Sequence, residues 1–515
     1  MKQEQMLFIG FLGLFGAFIY GFLYQDSLPD PPPKIIGIDL GTTFSCVGAF
    51  QAGSGERLIF RPEENKTTIP SIIAFTTQGI LVGRAARRQA ETNPHNTLWD
   101  AKRFIGRTFT GEEMEALQKL YPFTLVRRSN GSVHFMVEHA EGTPYGTVPP
   151  EEEGLPTLKG EGVRLIAPEE VGAVIIDQLR KVAQKEVTTA LRPVEIKRCV
   201  ISVPADFNTA QRNATRWAAE LAGMEVMRIV SEPTAAAMAY GVDREPGTSL
   251  VLVVDLGGGT LDVSLLRKRN GKFWVLGMAG DNRLGGQDFN RRLRRYALSK
   301  IEEKRGKPLT APGDLERLSE ECERVKLSLS VSQTETVQFN ITGEGDFSFG
   351  ITRGDFEDVN RELFKKVLVP IDAALKMATI TRPEIDSVVL VGGSTRIPRV
   401  RELISEHFGG KEIDTRVDPE LAVTIGVSIQ AGVIAGMWPV PASVFEPPMR
   451  DGAIKKIQVS DLSESDNDDD DDVHNNDGDK DEEERKMGTR SGGDDTGDSD
   501  STPEDEYSSS GGSGS

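Results

Sequence analysis

The chain has 515 residues, of which 38% are hydrophobic and 7% aromatic, a composition typical of a soluble globular protein and not of one that crosses a membrane many times. The formal net charge is −19, yet residues 461–515 alone hold 21 acidic and 4 basic side chains, a balance of −17. The rest of the chain is nearly neutral and lacks the basic surface that nucleic acid binding requires, so we expect no nucleic-acid partner.

The N-terminal region contains Met6–Tyr24, an uncharged run that follows Lys2 and precedes the stretch PDPPPK. Its 19 residues lie between the about 7–15 of a signal-peptide core and the about 20 of a spanning helix. We therefore predict that residues 1–33 are a signal sequence, which is cleaved, or a signal anchor, which is retained. Either would place the protein in the endoplasmic reticulum (microsomal), lumenal or facing the lumen, with membrane contact only through Met6–Tyr24.

Residues 34–244 are predicted to form the first of two α/β lobes. KIIGIDLGTTFSCVGAF reads as strand, glycine–threonine turn and strand, and TIPSIIAFT and ILVG as further strands. DAKRFIGRTF predicts a helix start or a loop with adjacent cations, and Glu138–Gly162 an exposed insertion rich in Gly, Pro and Glu. A helix (PEEVGAVIIDQLRKVAQKEV), a buried strand (EIKRCVISVPADF) and a helix that stops at Gly223 follow.

Residues 245–440 repeat this logic and are predicted to form the second lobe. SLVLVVDLGGGTLDVSLLR is again strand, turn and strand, and NRLGGQDFNRRLRRYALSKI leads a glycine turn into a helix. LERLSEECERVKLSLS predicts another helix, IDSVVLVGGSTRIPRVRELISEHF a strand, a Gly-Gly turn and a helix, and PELAVTIGVSIQAGVIAG a closing apolar helix. The alternation of strands and helices indicates an α/β fold.

Residues 441–515 are predicted to be a disordered acidic tail, since most of this stretch is rich in Asp, Glu, Ser and Gly and has too few apolar residues to offset ordering entropy. Two interpretations of the tail stay open: a solubilising segment, or one that buffers Ca²⁺ weakly or docks to a basic partner.

The three cysteines, Cys46, Cys199 and Cys322, lie far apart in apolar or helical surroundings. Their spacing indicates neither a metal site nor a disulfide framework, so we interpret them as buried thiols.

Two matching hairpins suggest phosphate chemistry. Asp39 precedes a Gly-Thr-Thr turn and Asp255 precedes a Gly-Gly-Gly-Thr turn, each at the end of an apolar strand. Glycines let backbone amides approach phosphate oxygens, whereas an aspartate has to face a cation or its bound water. The duplication therefore predicts a two-jawed clamp for a nucleotide and Mg²⁺, with LVGGSTRIP as a third glycine loop that could hold adenosine. Neither GxxxxGK[ST] nor GxGxxG is present.

Seven stretches in order resemble the ATPase domain of the seventy-kilodalton heat-shock chaperones, over roughly residues 34–438. They are GIDLGTTFSCVG, DAKRFIGRTF, ISVPADF, SEPTAAAMAYG, VDLGGGTLDVS, LGGQDF and VLVGGSTRIP. The resemblance implies an actin-like ATPase fold, with two lobes that have duplicated ribonuclease-H-like cores around a nucleotide cleft. It also implies that the chain binds and hydrolyses ATP, with Mg²⁺ and a monovalent cation such as K⁺.

The same resemblance implies roles for individual residues. Lys102 would position or polarise the attacking water, within a catalytic set completed by Glu232, Asp255 and Asp39. Mg²⁺ and its waters would be organised, mostly through water, by Asp39, Asp255, Asp262 and Glu232. The residues implied to contact ATP or ADP are Gly41, Thr42, Thr43, Phe44, Gly257, Gly258, Gly259, Thr260, Glu323, Lys326, Ser330, Gly392, Gly393, Ser394, Arg396 and Glu420.

Some positions depart from the family pattern. Leu327 stands where the chaperones usually have an arginine that stacks on adenine. The absence of this stacking contact would weaken nucleotide binding by about 1 kcal/mol or more. Gln287, Glu420 and Phe44 replace a glutamate, an aspartate and a tyrosine. After the closing helix nothing resembles a peptide-binding domain, as in a truncated, microsome-associated form of the family.

Three functions are therefore weighed. The first is an ATPase core without its own peptide-binding domain. The second is a nucleotide-switched, non-enzymatic adaptor that recruits chaperone or quality-control partners, and the third is a sugar kinase of the same superfamily, which DAKRFIG and SEPTAAAMAYG disfavour. Expected partners, besides ATP, are co-chaperones, exchange factors or ubiquitin-pathway adaptors.

Overall fold

The structure, a computed structural model, describes residues 13, 15, 16, 19, 32–51, 56–63, 66–90, 92–138, 144–145, 163–189, 193–242, 245–270, 272–436 and 456–458. Apart from four positions, Met6–Tyr24 lies outside these residues, as do most of Glu138–Gly162 and nearly all of 441–515. All described residues belong to one structural unit, residues 1–464. No helix in this part of the chain has both the length and the apolar character needed to cross a membrane.

The first half of the chain is built around a six-stranded sheet in the order β12-β11-β1-β2-β3, with β4 also paired to β2. The strands are β1 (Ile35–Leu40), β2 (Phe44–Phe50), β3 (Arg57–Ile59), β4 (Thr68–Pro70), β5 (Ile73–Thr76), β6 (Gly79–Val82), β7 (Thr97–Leu98), β8 (Thr124–Arg127), β9 (Val133–Val137), β10 (Arg164–Ile166), β11 (Arg198–Val203) and β12 (Glu225–Ser231). Nearly every residue of β1 is buried, which explains why its sequence is apolar on both faces. Two three-stranded sheets, β10-β9-β8 and β6-β5-β7, accompany it.

The helices of this half are α1 (Arg84–Arg87), α2 (Gly111–Gln118), α3 (Pro168–Val187), α4 (Thr209–Leu221) and α5 (Glu232–Ala239), with 3₁₀ helices at Pro94–Asn96 and Ala101–Arg103. α3 begins with a proline, which needs no hydrogen-bond acceptor in the first turn, and buries one apolar face against β1 and β2. α4 is followed by Gly223, whose positive φ of 74° favours glycine. The helices and strands predicted for this half are thereby confirmed.

The second half is built around the sheet β18-β13-β14-β15-β19 and a separate hairpin, β16–β17. The strands are β13 (Leu250–Leu256), β14 (Leu261–Arg269), β15 (Lys272–Asp281), β16 (Thr334–Ile341), β17 (Gly345–Thr352), β18 (Ser387–Val391) and β19 (Ile457–Gln458). The helices are α6 (Gly286–Arg305), α7 (Pro312–Leu329), α8 (Arg353–Val359), α9 (Arg361–Lys366), α10 (Leu368–Ala378), α11 (Pro398–His407) and α12 (Ala422–Ile434), with 3₁₀ helices at Arg382–Glu384 and Gly393–Arg396.

The closing helix α12 lies against the other half of the molecule. It contacts β1, β2 and β11 of the first sheet as well as α5, and almost all of its side chains are buried. The sequence predicts the helix correctly, but its uniformly apolar composition does not say which sheet it covers.

One short segment departs from the disordered tail predicted for residues 441–515. Ile457–Gln458 forms β19, which pairs in parallel with Ala279 and Gly280 of β15. An edge strand leaves backbone donors and acceptors open, and even a two-residue addition satisfies some of them. The prediction is therefore wrong for these residues.

The cysteine prediction is confirmed. Cys46, Cys199 and Cys322 are buried free thiols, and burial raises the pKa of each to about 12. Protonated thiols in such surroundings are chemically quiet.

Candidate functional site

The turns of the two matching hairpins lie in contact. The first joins β1 to β2 and the second joins β13 to β14, both antiparallel pairs. A Cβ placed on Gly258 would lie 3.2 Å from the Thr43 hydroxyl oxygen, so the second turn passes directly against the first. The duplication seen in the sequence thus becomes two opposed loops in space.

Glycine is required where a third and a fourth segment reach the second turn. Gly285 leads into α6, and a Cβ there would lie 2.4 Å from the backbone nitrogen of Gly259. Gly392 has a positive φ of 83°, and a Cβ would lie 2.3 Å from the Leu256 carbonyl oxygen. Backbone packs on backbone at both places, which only glycine permits.

Of the four carboxylates predicted to organise the metal, three lie at the ends of these hairpin strands and the fourth lies at the start of a helix. Asp39 is the second-last residue of β1 and is half-buried next to the first turn, while Asp255 and Asp262 sit directly opposite each other on β13 and β14. Glu232 is the first residue of α5. The Ser202 hydroxyl donates a 2.8 Å hydrogen bond to Asp39 and so fixes its orientation.

Burial makes negative charge costly in this cluster. It raises the pKa of Asp39, which Lys102 and the Ser202 hydrogen bond only partly oppose. Burial likewise raises the pKa of Asp255 well above its usual value, and the neighbouring Glu232 and Asp262 add to the effect. Buried like charges that are only partly neutralised favour protonation, so a bound cation would stabilise the ionised form of this cluster.

Lys102 supplies one counter-charge. It lies in the 3₁₀ helix Ala101–Arg103, so the sequence prediction of a helix start or loop is resolved in favour of a short helix. Its ammonium donates a 2.5 Å hydrogen bond to Glu232. Burial would lower the pKa of Lys102, but Glu232 and Asp39 outweigh it and raise the pKa, which keeps the ammonium charged. Burial raises the pKa of Glu232 to about 7 despite Lys102.

The predicted adenosine-binding residues lie on two facing segments. On α7, the Lys326 ammonium donates to Glu323 at 2.9 Å and to the Gly286 carbonyl at 3.1 Å, and Ser330 closes the helix. Opposite, the Ser394 hydroxyl donates to the Gly257 carbonyl at 2.8 Å. The two segments therefore both reach the glycine loops, and the structure brings these predicted residues together.

The outer rim of this pocket is charged. Arg396 donates a 2.5 Å hydrogen bond to Asp418 and lies 3.6 Å from Glu420. Leu327, in the position of the family's adenine-stacking arginine, is 54% exposed, and Phe44 is 42% exposed at the start of β2. Both side chains are thus open to the cleft or solvent and are not part of the core.

Sequence reasoning missed two residues of the carboxylate cluster. Asp206, within ISVPADF, and Lys456, just before β19, line the same cavity as Glu232, Asp255 and Asp262. The Lys456 ammonium hydrogen-bonds to Asp262 and lies 4.0 Å from Asp206. Asp206 could have been identified from the sequence, because it is an additional carboxylate within a recognised motif. For Lys456 the sequence offers only the apolar spacing of IKKIQV.

The described residues do not form a preorganised set of direct metal ligands. In this portion of the chain no group of three or more His, Cys, Asp or Glu side chains is arranged to hold a metal ion. The metal role predicted for the carboxylates, mostly through water, stays a prediction.

Comparisons with known proteins agree on one family. The family model described as Hsp70 protein matches residues 35–446. The chain is similar to heat shock 70 kDa protein 13 of Homo sapiens and of Bos taurus, each 40% identical over 472 residues, which is 83% of this chain and 94% of the relative. It is also similar to heat shock 70 kDa protein BIP3 of Oryza sativa subsp. japonica, 42% identical over 406 residues, which is 78% of this chain and 57% of that relative.

Proposed function

This chain belongs to the Hsp70 family, whose members are ATPases, and we propose that it is a slow, Mg²⁺-dependent ATPase core that acts in the endoplasmic reticulum without a peptide-binding domain of its own. The observation that carries the proposal is the contact of the Thr43 and Gly258 turns beside a buried carboxylate cluster, into which Lys102 extends. Together they provide phosphate-binding backbone on two sides and a charged group for water.

The residues present fit ATP with Mg²⁺. Glycine turns packed backbone to backbone, as at Gly285, leave amide groups free of side chains that would keep phosphate oxygens away. Burial is the main reason that the pKa values of Asp39 and Asp255 are raised. A divalent cation with its water shell would stabilise the ionised carboxylates and lower both pKa values. When bound, Mg²⁺ would neutralise phosphate charge and hold the phosphates in place.

Within this proposal each group has a defined task. Lys102, which Glu232 holds at 2.5 Å, orients or polarises the attacking water. Thr42 and Thr43 add hydroxyl donors for phosphate oxygens on the first turn. Glu323, Lys326 and Ser330 on α7, with Gly392, Gly393, Ser394 and Arg396 opposite, bind adenosine.

The proposal extends to location and partners. Alignments with heat shock 70 kDa protein 13 cover 94% of that relative, which leaves little of it for a further domain. Without a peptide-binding domain, hydrolysis would be coupled to clients only through partners such as co-chaperones, exchange factors or ubiquitin-pathway adaptors. Met6–Tyr24 supports entry into the secretory pathway; carbonate extraction of microsomes tests retention, and release of the intact chain into the supernatant would exclude an anchor.

ATP hydrolysis by the full chain with Mg²⁺ tests the proposed activity. We expect turnover in the wild type that collapses in Lys102→Ala and in Asp255→Asn and persists in Lys300→Ala, a surface lysine that pairs with Glu303. Nucleotide binding without turnover in the wild type would instead favour the adaptor, for which exposed Leu327 is the supporting observation because it weakens the expected adenine contact.

A further inference from the structure

A segment beyond the closing helix completes the second sheet. β19 is the last strand in the order β18-β13-β14-β15-β19, and it runs parallel to β15 with Ile457 opposite Ala279 and Gln458 opposite Gly280. Lys456 directly precedes this strand, so the backbone pairing determines where its side chain begins.

The Lys456 side chain reaches the carboxylate cluster by passing over a glycine. A Cβ on Gly280 would lie 2.3 Å from Lys456 Cε, so the absence of a side chain there opens the route. The Lys456 side chain is only 11% exposed. A lysine this deeply buried is retained only when its charge is paired.

The pairing partners are two carboxylates that Lys102 does not contact by hydrogen bond. The ammonium of Lys456 bonds to Asp262 and lies 4.0 Å from Asp206. In the cavity that these residues line with Glu232 and Asp255, Lys456 is one positive charge facing four carboxylates.

We propose that Lys456 is a tethered cation of the nucleotide cleft, which takes the place of a free monovalent cation between Asp206 and Asp262. An ammonium and K⁺ both carry one positive charge and both suit carboxylate oxygens, so either can occupy such a position. The chain thus carries its own counter-ion on a short strand, and detachment of β19 would open the position to K⁺. This inference deepens the proposed function, because it concerns the same cleft.

Thermal melting of the nucleotide-free full chain tests it without relying on hydrolysis. The variants are Lys456→Met, the adjacent control Lys455→Met, and the double variant Asp206→Asn with Lys456→Met. The melting temperature of each variant and of the wild type is measured in KCl and in choline chloride at equal ionic strength. We expect Lys456→Met to melt at least about 2 °C higher in KCl than in choline chloride, whereas the wild type and Lys455→Met should show no such difference.

The double variant distinguishes charge from packing. Removing Asp206 together with Lys456 should abolish most of the K⁺ response, since less unpaired negative charge remains. A K⁺ response of Lys456→Met no larger than that of the wild type would overturn the proposal, and so would failure of Lys456→Met to fold in either salt. A K⁺ response in a protein that does not hydrolyse ATP would support the tethered cation and reject only the ATPase.

Discussion

Lys102 and Lys456 both bring an ammonium group to the carboxylate cluster, but the chain holds them in different ways. Lys102 lies in a 3₁₀ helix followed at once by Phe104 and Ile105, which are buried in the core of the first half. Lys456 is held by a strand of two residues and by its own ion pair. Fewer contacts must break to remove Lys456, so the first cation is a fixed part of the site and the second is detachable.

The sharpest test of this comparison is to remove each lysine and follow turnover. Lys102→Met should lower ATP turnover at least about 100-fold, because it removes the group assigned to the attacking water. Lys456→Met, assayed in KCl, should lose less than about tenfold, because a free cation can replace a counter-ion but not a positioned donor. Single-turnover hydrolysis, with the full chain in excess over ATP and with saturating Mg²⁺, measures both.

Equal losses in the two variants would contradict the distinction between a fixed and a replaceable cation. Repeating the Lys456→Met assay in choline chloride provides the internal control, since the loss should deepen there while that of Lys102→Met stays unchanged.

The adenine side of the cleft offers the reverse case, a cation that the family pattern expects and this chain lacks. Leu327 is 54% exposed on α7, so an arginine there meets no packed neighbour that would exclude it. Leu327→Arg should tighten ADP binding about fivefold to tenfold through stacking on the base. Isothermal titration of the full chain with ADP and Mg²⁺ measures the change.

Val331→Arg is the matched control for that variant. Val331 lies just beyond α7 and is 84% exposed, so the substitution adds the same charge near the cleft without the stacking position. The same gain in affinity from both variants would show that net charge, and not stacking, sets the effect.

Most of the fold followed from local sequence patterns. Apolar β-branched runs ending in glycine turns predicted β1–β2 and β13–β14, and apolar periodicity predicted α3, α6 and α7. The predicted actin-like fold and Hsp70 family are confirmed by the family match over residues 35–446. These features are encoded within short stretches, so a single sequence is sufficient to recognise them.

What could not be predicted depends on contacts between distant parts of the chain. The packing of α12 on the first sheet joins elements nearly 400 positions apart, and a uniformly apolar helix fits either sheet. Lys456 lies 194 positions from Asp262, in a region whose composition predicts disorder. Two backbone-paired residues and one ion pair stabilise that segment, and apart from the apolar spacing of IKKIQV they leave no pattern in the sequence.

The smallest predicted effect concerns the partner of Lys102. Burial raises the pKa of Glu232 from 4.5 to about 7, so the folded chain binds this proton more tightly than the unfolded chain. Protonation therefore favours folding: the contribution is full below about pH 4.5 and is lost as the pH rises through about 7. Lys102 stays charged in this window because its pKa is raised, so it adds no opposing slope. The melting temperature of the nucleotide-free chain should fall between about pH 5 and pH 8, and the fall should be about 2 °C larger in the wild type than in Glu232→Gln.

The control is Glu320→Gln, a change at an exposed position of α7, which should keep the pH dependence of the wild-type melting temperature. If Glu232→Gln and the wild type lose stability in parallel, the ion pair with Lys102 is strong enough to hold Glu232 ionised throughout. Lys102, the fixed cation, would then outweigh the burial of Glu232 and determine its charge.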